Sequence, residues 1–113
     1  MGGWRKLTDA ERALVIVLVS GKPGADRLIT SLDTVMVEEM SDGGMGSLLF
    51  RSPDCGVRRF GRQIAEGRFT DVDGVPLVVT VTLDEIGELY ELDIWKVDFS
   101  PLNQFPVARD DSL

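Results

Sequence analysis

The sequence predicts an α+β fold in which two N-terminal helices pack on a mainly antiparallel five-stranded sheet ending in a three-stranded meander. Three observations predict it: a capping box that opens an apolar run, a change of apolar spacing from about four to two after Asp33, and two Asp-rich turns in the C-terminal half. At 113 residues, with 43% hydrophobic and 27% charged, the chain can bury one core. A single α+β domain over residues 1–113 is expected, ordered over about 5–102. The tail after Leu102, with Asp110 and Asp111, is expected to be loose.

The first helix begins at Thr8, whose hydroxyl can cap the amide of Glu11 while the Glu11 carboxylate reaches back. Ala10, Ala13, Leu14, Val17 and Leu18 are expected on its buried face, with Ile16 and Val19 widening the stripe. Gly21 and Pro23 end it. A second helix follows from Pro23, with Ala25, Leu28, Ile29 and Leu32 on one stripe, so the two form a helical hairpin. Residues 34–40 and 47–51 then read as strands around the Gly-rich loop 41–46. That loop has no GK[ST] ending and no helix behind it, so a hairpin connection is favoured over a phosphate cradle. After a second break at 52–56, strands are expected at about 57–70, 75–83 and 87–99.

Turn chemistry sets the register of the meander. A three-residue turn with Gly74 left-handed places Asp71 opposite Val75, hence Phe69 opposite Leu77 and Ala65 opposite Val81. Placing Asp84 opposite Gly87 aligns Val81 with Tyr90, Val79 with Leu92 and Leu77 with Ile94, all on the core face. The other face then carries Arg62, Ile64, Glu66 and Arg68, then Val78, Thr80 and Thr82, then Leu89, Glu91, Asp93 and Trp95. In this register Arg68 approaches Asp93 across Val78, and Glu66 approaches Glu91 across Thr80.

Arg62, Glu66, Arg68, Glu91, Asp93 and Trp95 are therefore the candidate partner-binding residues. A tryptophan on a polar face suits an interface with an apolar centre and a wet rim. The competing expectation is an ordinary solvated sheet face, with Trp95 packed near Phe99 or Phe105. Residues 51–68 carry net charge +3 within a chain of −7. Arg58, Arg59, Arg62 and Arg68 are expected mainly to neutralise neighbouring carboxylates.

Composition narrows the chemistry. With no histidine and a single cysteine, Cys55, the chain has no Ser-His or Cys-His pair, no disulfide of its own and no zinc set of the usual ligands. Asp71 and Asp73 resemble part of a calcium loop but lack its later ligands, and Asp-rich turns explain them. Glu66, Glu91 and Asp93 are the carboxylates an acid–base enzyme would use. Such an enzyme would need a closed pocket around them. No catalytic residue, metal or cofactor is assigned. The net charge of −7 disfavours nucleic acid and anionic membranes, and the longest apolar run, residues 13–19, cannot span a bilayer, so a cytoplasmic protein is expected.

The stretches VEEMSDGGMGSLLF (37–50), FTDVDGVPL (69–77) and ELDIWKVDFSPL (91–102) resemble those of a family of small bacterial proteins known only as a domain of unknown function. The last stretch is also similar to a terminal strand-and-turn pattern of immunity proteins from bacterial toxin systems, from which it departs with Phe99 where glycine is usual. The resemblance implies bacterial origin, one compact domain and protein binding, and carries over no catalytic residue. The expected function is a non-enzymatic, immunity-like protein-binding module with a basic, toxin-like partner. The alternatives are a homodimer pairing through the Trp95 face, a small-ligand-binding protein and a carboxylate-dependent enzyme.

Overall fold

The computed structural model describes residues 3–40, 46–51 and 58–106. The centre of the Gly-rich loop, the break before the third strand, Cys55 and the acidic end of the tail lie outside them. Helices α1 (Asp9–Val19) and α2 (Ala25–Ser31) precede β1 (Met36–Glu39), β2 (Leu48–Arg51), β3 (Phe60–Thr70), β4 (Pro76–Asp84) and β5 (Leu89–Lys96). The sheet order is β1-β2-β5-β4-β3 with every neighbour antiparallel, and β3-β4-β5 form the meander. Among the described residues no helix is long and apolar enough to cross a membrane.

The capping box forms as expected. Thr8 Oγ1 accepts from the Glu11 N–H at 3.1 Å, and Glu11 Oε1 accepts from the Thr8 N–H at 2.9 Å. The buried face of α1, however, is Glu11, Leu14, Val15, Leu18 and Val19, while Ala10 and Ala13 are exposed. Two causes turn the helix this way. Valines bury more apolar area than alanines, and Glu11 must meet Arg5, which holds it with paired bonds of 2.9 and 2.8 Å. Burial raises the Glu11 pKa, but the Arg5 and Thr8 bonds outweigh it and hold the carboxyl below its ordinary value.

Leu14 and Val15 join Leu28, Val37, Phe50, Val79, Val81, Leu92 and Ile94 in one core between the helices and the sheet. Leu14 is fully buried, so Leu14→Ala should destabilise the fold by about 2–5 kcal/mol in denaturant unfolding. A loss well under about 1 kcal/mol would contradict this packing.

The first meander turn follows the expected register. Gly74 has φ 85°, the Asp71 N–H donates to the Val75 carbonyl at 3.0 Å, and Phe69 and Ala65 face Leu77 and Val81. The second turn differs. It has the same three-residue form, with Asp84 paired to Glu88 instead of Gly87 and Gly87 at φ 90°. A further shift follows between Thr82 and Leu83. Together they slide β5 by two residues: Val81 meets Leu92, Val79 meets Ile94, and Leu77 meets Lys96. An even shift leaves Leu92 and Ile94 on the core face. Beyond the irregularity the faces exchange, so Leu89 is buried in the core and Tyr90 is half-buried.

Arg58, just before β3, ties the start of that strand to β2, β4 and β5. Its Nε donates to Asp84 Oδ2 at 2.9 Å, Nη1 and Nη2 donate to the Phe50 and Leu89 carbonyls, and the guanidinium lies over the Tyr90 ring. Arg59 and Arg68 also face carboxylates, at Glu85 and Glu66, in keeping with a neutralising role.

Candidate functional site

The sheet face turned away from the helices is built from alternate residues of β5, β4 and β3. Three rows cross it: Trp95–Val78–Arg68, Asp93–Thr80–Glu66 and Glu91–Thr82–Gln63. The last row continues through Leu49 of β2 to Glu38 of β1. Five of the six candidate residues therefore share this face, with partners changed by the two-residue slide. Arg68 stands in the row of Trp95 instead of beside Asp93, and Glu66 shares a row with Asp93 instead of Glu91. Glu66 pairs along its own strand with Arg68, at 3.4 Å.

Arg62 leaves the group. Register shifts on both sides of it, between Phe60 and Arg62 and between Gln63 and Ala65, place it opposite the core residue Leu83. Paired residues share a face, so Arg62 belongs to the helix side at the far end of β3. Ile64, expected outside, packs against the core for the same reason.

Burial and the neighbouring Asp93 raise the Glu91 pKa above its ordinary value. Asp93 is exposed and lies 3.2 Å from Ser47 Oγ, which also accepts from the Ile94 N–H at 2.9 Å. Beyond β5 the chain turns through Asp98 and Phe99. Phe99 has φ 62°, in the left-handed region that costs an L residue roughly 1–2 kcal/mol. The residue is 69% exposed, and its ring centroid stands 5.9 Å from that of Trp95, itself 43% exposed. Two accessible aromatic rings thus sit at one corner of the face, with Asp93 in the next row and Asp98 in the turn. The Asp98 carboxylate accepts from the Ser100 hydroxyl and N–H at 2.6 and 3.0 Å, which holds its pKa low.

A cleft of about 390 Å³ at the far end of β3 takes in Arg62, Asp84 and Gly87. Another of about 290 Å³ lies between the end of α1 and the edge of β3 and includes Glu66. Glu91 and Asp93 line neither cleft.

A buried charge cluster lies on the other face. Lys96 is fully buried and donates to Asp71 Oδ2 at 2.8 Å, Asp73 Oδ2 at 2.6 Å and the Pro101 carbonyl at 3.1 Å. An ammonium thus occupies the space between the two carboxylates of the partial calcium motif. Among the described residues no cluster of His, Cys, Asp or Glu is arranged to hold a metal ion. Asp71 also accepts N–H groups from Val72, Asn103 and Gln104. Burial pushes Asp71 up, but these bonds and Lys96 outweigh it and hold the carboxyl down at about 2. Burial likewise lowers the Lys96 ammonium, and the two carboxylates overcome this and raise it. Residues 103–106 are held in consequence, with Phe105 packed against the core and Pro106 buried. The signal for Lys96 was present in the sequence: it stands two and four residues beyond the inward Ile94 and Leu92.

A family model, described as Domain of unknown function (DUF6984), matches residues 4–106. The chain belongs to that family. The DUF6984 match takes in both helices, all five strands and the Asp71–Lys96 pair. No curated protein and no solved structure matches the chain.

Proposed function

We propose that this DUF6984 protein is a non-enzymatic, immunity-like binding module of a bacterial cytoplasm, and that its Trp95 face docks a basic, toxin-like protein. The observation that carries the reading is the exposed pair Trp95–Phe99, in which Phe99 keeps a left-handed backbone where glycine would be unstrained. The tilted contact with Trp95 leaves Phe99 69% exposed, so the isolated fold recovers little for the strained backbone. Such an arrangement suits an aromatic anchor that gains its stabilisation in a complex. Asp93 in the next row and Asp98 in the turn flank the anchor, Glu66 and Glu91 stand farther along the same face, and the net charge of −7 would speed encounter with a cationic surface.

Phe99→Gly tests the reading because it separates folding from binding. The variant should keep wild-type stability to within about 1 kcal/mol, because the relieved strain offsets the lost Trp95 contact, and it should bind the partner more weakly. The Trp95→Ala, Glu91→Lys double variant should stay folded and lose binding. The measurement is affinity capture from host lysate, followed by titration of the purified captured protein against each variant at two salt concentrations. A basic protein bound equally by wild type and both variants would defeat the proposal.

A further inference from the structure

The five-stranded sheet ends on β1 at one side and β3 at the other, and the two edges are treated differently. The β1 edge is four residues long and is blunted by Arg5, whose N–H and carbonyl bond Val37 at 2.9 and 2.7 Å. The β3 edge is 11 residues long. Its register irregularities are confined to the stretch before Ala65, and from Ala65 to Thr70 the pairing with β4 is regular. Among the described residues no strand pairs with the outer side of this stretch. A long regular edge is a template for another strand, and natural proteins leave one open only where it is protected or used.

The hydrogen-bond phase identifies which groups point outward. The Asp71 N–H bonds Val75 across the turn, so Asp71, Phe69, Gly67 and Ala65 direct their backbone groups to β4. Glu66, Arg68 and Thr70 direct theirs to the open edge. Only even-numbered residues can therefore form hydrogen-bonded pairs with an added antiparallel strand. A two-fold axis through Gly67 satisfies this, and it sets Glu66 of each copy opposite Arg68 of the other. Axes through Glu66 or through Arg68 would set that residue opposite its own copy, like charge against like.

We infer that two copies of this chain join through the β3 edges, antiparallel about Gly67, to form a continuous ten-stranded sheet. Opposite charges then face each other twice across the axis. At the centre, glycine gives α1 room beside the strand: a Cβ on Gly67 would lie 2.7 Å from Leu18 Cδ2 and 2.9 Å from Phe69 Cε1, so those side chains would have to shift. The cleft between α1 and β3, lined by Val17, Ser20, Lys22 and Glu66, would be closed along its open side by the second copy. The axis is perpendicular to the sheet, so both Trp95 faces point the same way. The dimer does not depend on the partner-binding proposal.

The test is solution mass by sedimentation equilibrium, with thermal melting to confirm that each variant folds. Wild type should reach twice the 12.4 kDa of the chain. Glu66→Lys alone makes residues 66 and 68 both positive, and Arg68→Glu alone makes both negative, so each variant should be monomeric. Mixing the two should restore a dimer, as should the swap Glu66→Arg, Arg68→Glu within one chain. Wild type that stays monomeric up to its solubility limit would overturn the inference. So would a dimer that persists in both single variants, or one abolished by Trp95→Ala.

Discussion

Lys96→Met is expected to lower the melting temperature by at least about 10 °C, although methionine matches the length of the lysine stem. The ammonium is fully buried, with Asp71 Oδ2 at 2.8 Å and Asp73 Oδ2 at 2.6 Å. Removing it leaves two carboxylates beside each other, and Asp71 is itself buried. The Pro101 carbonyl and the backbone of Asn103 and Gln104 depend on the same cluster, so the C-terminal segment should loosen with it. The pH dependence distinguishes this mechanism from simple mispacking. Asp71 titrates at about 2 in the folded chain against an ordinary 3.8. Its stabilising contribution is therefore present in full above about pH 4 and lost as the pH falls through about 2. Lys96 is raised above its ordinary 10.5, so its contribution is present below that value and lost as the pH rises past the raised one. In the methionine variant the carboxylates lose their counter-charge. Acidification from about pH 7 to about pH 4 should then restore part of the lost stability, whereas wild type gains nothing from Asp71 over that range. Thermal melts across the two pH series provide the measurement.

Arg58→Met should destabilise the fold by about 3 kcal/mol in denaturant unfolding, close to a core truncation. Arg58 and Asp84 are both largely buried, and the guanidinium also satisfies the Phe50 and Leu89 carbonyls. Asp84 keeps the N–H groups of Ile86 and Glu88 on Oδ1, so its turn should survive. The loss should instead appear where β2 meets the meander, as faster hydrogen exchange of the Phe50 and Leu89 neighbourhoods than of the β3–β4 pairs. Uniform exchange across the sheet would contradict the local role. Arg59→Met is the control. Its pair with Glu85 is 4.0 Å long and exposed on both sides, so the change should cost within about 0.5 kcal/mol.

Local chemistry made most of the architecture legible. Thr8 and Glu11 form the expected capping box, Gly74 forms the expected left-handed turn, and the strand alternation places Leu77, Val79, Val81, Leu92 and Ile94 in the core. What was hidden depended on longer-range choices. The face of α1 could not be read from spacing alone because residues 13–19 are apolar all round, and the Arg5–Glu11 pair helps to select it. The pairing of β4 with β5 required knowing that the Asp84 turn repeats the Asp71 turn and that Tyr90 adds an irregularity. The candidate face survived in composition but not in detail. Glu66, Arg68, Glu91, Asp93 and Trp95 share it, while the irregularities around Arg62 move that residue to the other side. Lys96 was legible by alternation, but lysine is so seldom buried that its inward position draws no notice until Asp71 and Asp73 are seen around it.

The strand order has a consequence for how the molecule is made. β5 lies between β2 and β4 but is the last of these five strands to leave the ribosome. Until it arrives, β1–β2 and β3–β4 are separate hairpins, each exposing the edge that β5 will fill. During synthesis the nascent chain therefore carries two unsatisfied strand edges, the hazard from which chaperones shield growing polypeptides. The contact between β2 and β5 spans some forty residues of sequence and places the slow, non-local step after both hairpins. A chain stopped before Leu89 would lack the strand that joins the two hairpins into one sheet.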